Sequence, residues 1–233
     1  MNANTIQYNN SGFKTKVIDY IVWLRGKVCD DCIFLYDKYF NNKIVLELGC
    51  WAGDFGRILK KKLNKYRINF ELIGLDINNL LDNNNLSVYK KYIVLDKNDI
   101  FINLKKIIKE EKIDTVIIPY VFHHIWDDNE IVNYIKIFSN LGLDIVIFEE
   151  YLPNNFLKSV VKFLYIINDI TSNLLRYGIN IDFKEYFGLN FKSANEWFNI
   201  LKKYNYEINK YYTYLRPNFI NNIVIFAKNK IKL

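Results

Sequence analysis

A chain of 233 residues that is 51% hydrophobic and 24% charged has the make-up of a globular protein, which excludes an extended disordered polymer, and its length suits one domain. Its formal charge of +7 comes largely from lysines scattered among Asn, Ile and Tyr; the one short knot, Lys60-Lys61-Lys62, reads as a solvated helix face, because a nucleic-acid footprint needs a basic stripe with interleaved aromatics or a known module. No apolar run reaches the roughly 20 residues that span a bilayer, no signal peptide precedes the odd set Cys29, Cys32 and Cys50, and a reducing cytoplasm is the expected setting.

In chain order, Lys14 to Tyr39, with Trp23 and Phe34, predicts a helical cover. Cys29 and Cys32 have the spacing of a redox or zinc pair, but no second pair follows and histidine occurs only at 123 and 124, so they read as helical core residues. Lys43 to Leu48 is short, β-branched at its start and apolar on both faces, which predicts a strand of a parallel sheet. Gly49, Gly53 and Gly56 follow in VLELGCWAGDFG, and from Asp54 the apolar residues Phe55, Ile58, Leu59 and Leu63 take helical spacing. The glycine run is therefore a tight strand-to-helix turn, open to φ > 0 and to the close approach of a ligand. The helix behind it offers free N–H groups to an anionic group.

Phe70 to Leu75 predicts a second strand ending at Asp76, and Tyr92 to Leu95 a third. Asp99 to Glu111 predicts a helix with Ile100, Leu104, Ile107 and Ile108 inward; Ile113 to Pro119 a fourth strand; Asp127 to Asn140 a helix opened by an Asp127–Glu130 capping box; and Asp144 to Phe148 a fifth strand ending at Glu149-Glu150. Five alternations of strand and helix predict an α/β fold, a parallel sheet with helices on both faces, whose ligands bind at the carboxyl ends of the strands. Those ends carry the glycine turn, Asp76, Asp99-Ile100 and Pro119-Tyr120. An acid at Asp76 suits both hydroxyls of a ribose.

These residues together resemble the class I S-adenosylmethionine-dependent methyltransferases over roughly residues 40 to 150. Glu47-Leu-Gly49-Cys-Trp-Ala-Gly53 is similar to the family's acid-x-Gly-x-Gly-x-Gly loop, with Trp51 at the middle glycine; Asp76 matches the ribose-binding acid; Asp99-Ile100 matches the pair that frames adenine, Asp96 being the alternative; and Val121-Phe-His123-His124-Ile matches the segment after strand four. A nicotinamide Rossmann enzyme would show G-x-G-x-x-G instead. The resemblance implies a three-layer, Rossmann-like, seven-stranded, mostly parallel sheet with an antiparallel edge. It implies S-adenosyl-L-methionine as cofactor, held by Glu47, Gly49, Trp51, Gly53, Asp76, Ile77, Asp99, Ile100 and Pro119. Trp51 would close over the cofactor, line the substrate side, or turn away onto the first helix.

Ser193-Ala-Asn-Glu196 is a capping box ahead of Trp197, Phe198 and Leu201, and Tyr206 to Tyr214 and Asn222 to Lys228 read as the last two strands. Between strand five and that helix, Tyr151 to Lys192 is long for a loop, which predicts either a lid or a further core helix. Phe156, Leu157, Val160, Val161, Leu164, Ile167, Ile170, Leu174 and Leu175 share one helical face there, Gly178 is the expected C-cap, and Phe156, Phe163 and Tyr165 are available to an acceptor with apolar bulk. The single domain 1–233 thus divides into a helical cover (1–40), a cofactor core (41–150), a lid (151–192) and a closing unit (193–233).

Methyl transfer asks the enzyme for positioning and proton removal, without a metal. Candidate bases are His123, His124, Glu149 and Glu150, with at least one histidine structural. A small-molecule acceptor is the favoured class. An RNA acceptor is the second class, not favoured, and a cofactor-binding subunit without catalysis, for which Trp51 argues, is the third.

Overall fold

The computed structural model describes residues 33–79, 81, 83–152, 158–177, 189–215 and 221–231. Seven strands form one sheet: β1 (Lys43–Leu48), β2 (Phe70–Asp76), β3 (Lys91–Val94), β4 (Thr115–Pro119), β5 (Asp144–Glu150), β6 (Tyr206–Leu215) and β7 (Asn221–Asn229), in the order β3-β2-β1-β4-β5-β7-β6. The first five are mutually parallel, and β7 pairs antiparallel with both β5 and β6. The central strands are apolar on both sides because each side of the sheet is covered. Leu46, Ile118, Ile147 and Ile225 face a layer made by α3 (Ile100–Glu110), α4 (Asp128–Asn140) and α6 (Ala194–Lys203), through Leu104, Ile108, Ile135, Phe138, Trp197 and Leu201. Val45, Leu72, Val146, Phe148 and Phe226 face α1 (Ile33–Phe40) and α2 (Asp54–Lys65), through Tyr36, Phe40, Leu59 and Leu63.

Local chemistry sets several boundaries. Asp96 caps a short 3-10 turn, Lys97–Asp99, by accepting from Asn98 N, so α3 starts at Ile100 rather than Asp99. The Asp127 carboxylate takes the amide of Asn129, and the expected box with Glu130 is not made. The Ser193–Glu196 box is made in both directions. Lys60, expected to be solvated, donates from Nζ to the Val88 carbonyl at 2.8 Å.

The expected helical cover falls mostly on residues 1–32, outside the described residues together with Cys29, Cys32 and Trp23; its last turns, α1, pack on the sheet face. A separate helix, α5 (Lys158–Tyr177), lies beyond the end of β5. Its inward residues Val161, Tyr165, Ile166 and Ile170 meet Leu152, Leu189 and Phe191 in a cluster apart from the two sheet faces. The apolar face expected from spacing is therefore split, with Val160, Leu164 and Ile167 exposed, as is Phe163. Tyr165 is not available to a ligand: it is buried, donates to the Tyr151 carbonyl and accepts from Asn221 N. Phe156 and Gly178 lie outside the described residues.

Candidate active site

Strand order reverses between β1 and β4, which opens a crevice at their carboxyl ends. Two backbone conformations mark it. Non-glycine residues with positive φ elsewhere, Asn42, Arg67, Lys112 and Asn205, sit just past helix ends, where a left-handed residue closes the helix. Among the described residues only Trp51 (φ 49°) and Tyr120 (φ 59°) break that pattern, and they stand at the ends of β1 and β4. Such strain, of order 1–3 kcal/mol per residue, persists only where its surroundings hold it.

The holding groups are visible. Trp51 N donates to Asp76 Oδ2 at 2.7 Å, and Asn78 N donates to Asp76 Oδ1 at 2.9 Å. Tyr120 N donates to the Phe148 carbonyl at 2.7 Å, and its hydroxyl lies 2.8 Å from that of Tyr214. The strained loop is thus tied to the acid at the end of β2. The Trp51 side chain is 39% exposed, so it stays at the mouth instead of burying itself on α2.

The glycines have a reason that spacing did not show. A Cβ on Gly49 would come within 2.4 Å of Val121 Cγ2, one on Gly53 within 2.6 Å of Leu81 Cδ1, and one on Gly56 within 2.4 Å of Glu47 Oε2. Side chains of this protein, not only a ligand, use the space. Asn85, buried, donates to the Ala52 carbonyl at 2.7 Å. Tyr89 donates to Glu47 Oε2 at 2.9 Å beneath the loop. Burial, then the nearby Glu47 charge, pushes the Tyr89 phenol and the Cys50 thiol far above their ordinary values. Sequence reasoning missed Asn85 and Tyr89: a polar residue in an Asn-rich connection and a tyrosine before a strand give no signal.

The two histidines part ways. His123 is buried with Glu149: Nδ1 lies 2.5 Å from Glu149 Oε1, and His123 N donates to Oε2 at 3.0 Å. An ionised carboxylate only accepts, so Nδ1 is the donor of this bond. The His123 ring stacks on Phe191 at 5.3 Å, and Asn190 N donates to the His123 carbonyl at 2.8 Å. His124 is exposed, its ring 4.1 Å from that of His123. Glu150 is buried at the end of β5. Val121, two residues before His123, is the residue pressed against Gly49, so the histidine segment runs beside the glycine loop.

Asp96 and Asp99 are both exposed; Asp96 is engaged by Asn98 N, while Asp99 makes no capping bond. Ile77 is exposed at the rim, Ile100 is buried, and Pro119 closes β4. Between α5 and the segment 189–191 lies an open groove of about 480 Å³, lined in part by Trp126, Asp128, Lys162, Leu189, Phe191 and Glu196. The buried Lys192 beside it donates to Asp128, and that bond, followed by one from Asn190, holds the Asp128 carboxyl below its usual range.

No family model matches the sequence, and no curated protein is similar enough to count as a relative. Solved structures share its fold. Magnesium protoporphyrin IX methyltransferase from Synechocystis, with bound SAH, aligns over 94% of this chain and 84% of its own at 15% identity, with a TM-score of 0.52. LepI, in complex with SAM, aligns over 81% of this chain at 11% identity with a TM-score of 0.52, and the chain spans 43% of its length. The chain spans 56% of mitomycin 7-O-methyltransferase, at 9% identity and a TM-score of 0.49. The fold is that of the class I S-adenosylmethionine-dependent methyltransferases.

In that methyltransferase fold the crevice between β1 and β4 is the ligand end of the sheet. The residues present suit a nucleoside cofactor. The two Asp76 oxygens each accept one backbone bond, and a carboxylate has about four acceptor sites, so capacity for a diol remains.

Proposed function

We propose that the protein is an enzyme that transfers the methyl group of S-adenosyl-L-methionine to a small-molecule acceptor. The observation that supports it most is the contact of Val121 with Gly49, which puts the buried His123–Glu149 pair beside the glycine loop. The cofactor supplies an electrophilic methyl group. The backbone from Gly49 to Gly53 and the Asp76 carboxylate receive its ribose end, with Ile77 at the rim. Asp99, Ile100 and Pro119 line its adenine and sulfonium neighbourhood, and Glu47 stands beneath the loop. Glu149 fixes the His123 tautomer, and Nε2 takes the acceptor's proton as the new bond forms. His124 is a rim residue, and Glu150 donates its amide to Glu149 Oε1 at 3.3 Å.

The open groove under α5 is the candidate acceptor site. Its volume lies in the range of small-molecule sites, about 300–1,000 Å³, and Phe191 joins it to His123. Helix α5 flanks the groove through Ser159 and Lys162, as a substrate cover would. Trp51, Ile77 and Trp126 are exposed apolar groups that suit an acceptor with apolar bulk.

The test uses methyl-labelled cofactor with a panel of phenols and amines and with total RNA. Label is expected in the organic-soluble fraction and not in RNA, and His123→Gln should abolish transfer while SAH affinity stays within about twofold. Label in RNA would sink the acceptor class; transfer by His123→Gln at the wild-type rate would sink the base.

A further inference from the structure

Tyr89 fills a space that three glycines leave. Its ring lies 3.1 Å from a Cβ placed on Gly53 and 2.9 Å from one placed on Gly74, and its hydroxyl 2.6 Å from one placed on Gly56. Gly53 and Gly56 belong to the loop and the first turn of α2, and Gly74 to β2. The hydroxyl donates to Glu47 Oε2, and Glu47 is fully buried on β1 two residues before the loop begins. One side chain thus touches β1, β2, the loop and α2. Asn85, four residues earlier, grips the loop from the same connection by donating to the Ala52 carbonyl. A carboxylate so deeply buried is costly unless hydrogen-bonded.

We infer that Tyr89 and Glu47 form a positioning pair that sets the shape of the glycine loop from beneath, so that Glu47 acts on cofactor binding through Tyr89 and not by touching the cofactor. The inference rests on the reading of the carboxyl edge as a cofactor site. The pair is a buried donor and acceptor, and deleting one member strands the other. Replacing both with apolar groups of like shape restores a satisfied interior.

The experiment compares wild type, Tyr89→Phe, and Tyr89→Phe with Glu47→Leu, in the full chain. It measures SAH affinity by calorimetry at a temperature where each variant is folded, and hydrogen exchange of amides 49–56 without ligand. Tyr89→Phe should weaken SAH binding about tenfold and speed loop exchange by a similar factor, about 1.4 kcal/mol in either case. The double variant should return both to within about threefold of wild type.

Unchanged affinity and exchange in Tyr89→Phe, with only a lower melting temperature, would make Tyr89 an ordinary core residue and overturn the inference. A double variant that binds as weakly as the single one, or more weakly, would make Glu47 a direct cofactor ligand and overturn it also. If wild type binds no SAH, the cofactor reading fails by itself and loop exchange alone decides the pair. Should Tyr89→Phe not fold, Gly74→Ala, which presses the Tyr89 ring and spares its hydroxyl, should weaken SAH binding; unchanged binding would overturn the inference.

Discussion

Gly49→Ala tests the link between the glycine loop and the histidine segment. Gly49 has φ 69°, and its added Cβ would meet Val121 Cγ2 at 2.4 Å and Cγ1 at 3.2 Å. Two costs follow. A left-handed backbone costs an L-residue roughly 1–2 kcal/mol, and overpacking costs roughly 1–3 kcal/mol. Together Gly49→Ala should lose about 2–5 kcal/mol of stability. Val121→Ala removes two methyls from a half-buried site and should cost about 1 kcal/mol alone. In the double variant the clash is gone and the backbone cost remains. The two changes should therefore couple favourably by about 1–3 kcal/mol, well above the roughly 0.5 kcal/mol scatter of independent sites. Urea unfolding followed by circular dichroism, with a constant m, measures this. A cost for Gly49→Ala below about 1 kcal/mol, or simple additivity, would show that Val121 does not lie over Gly49 and would remove the contact that joins the two halves of the site.

Asp99→Ala should weaken SAH binding at least about fivefold with little change in stability, whereas Asp96→Ala should cost about 1 kcal/mol as a lost cap and leave affinity unchanged; calorimetry and thermal melts distinguish them, and the reverse pattern would reassign the adenine neighbour to Asp96. Asp128 is held below its usual range by Lys192, so its contribution to stability is present above the ordinary carboxylate pKa, about pH 4, and is lost as pH falls through its lower folded value. The side chain is largely exposed, so this increment is small, and Asp128→Asn should flatten the acid end of the stability–pH curve, as read by denaturant midpoints.

Alternation of apolar strands and amphipathic helices was legible because the central strands β1, β2, β4 and β5 are buried along nearly their whole length. Asp76 was legible through its place at the end of β2, and the Ser193–Glu196 box through its spacing. The pairing of His123 with Glu149 was not: the sequence put each at a strand end, but only the β4–β5 register brings residues 26 apart within 2.5 Å. Nor was the role of Tyr89, because what it fills is an absence of side chains at Gly53, Gly56 and Gly74. Nor was the left-handed backbone of Trp51, because the Asp76 carboxylate on the neighbouring strand holds its amide there. The inward face of α5 was misassigned because apolar residues occur on both of its sides, and only contact with Leu152, Leu189 and Phe191 selects one.

Calorimetric titration of the wild-type protein with SAH, repeated on Asp76→Ala, tests the cofactor site most directly. The account predicts a single site per chain that saturates in the micromolar range, about −8 kcal/mol, and a loss of at least about tenfold in Asp76→Ala. Absence of binding by the wild type at millimolar SAH, or equal affinity in the two proteins, would contradict it.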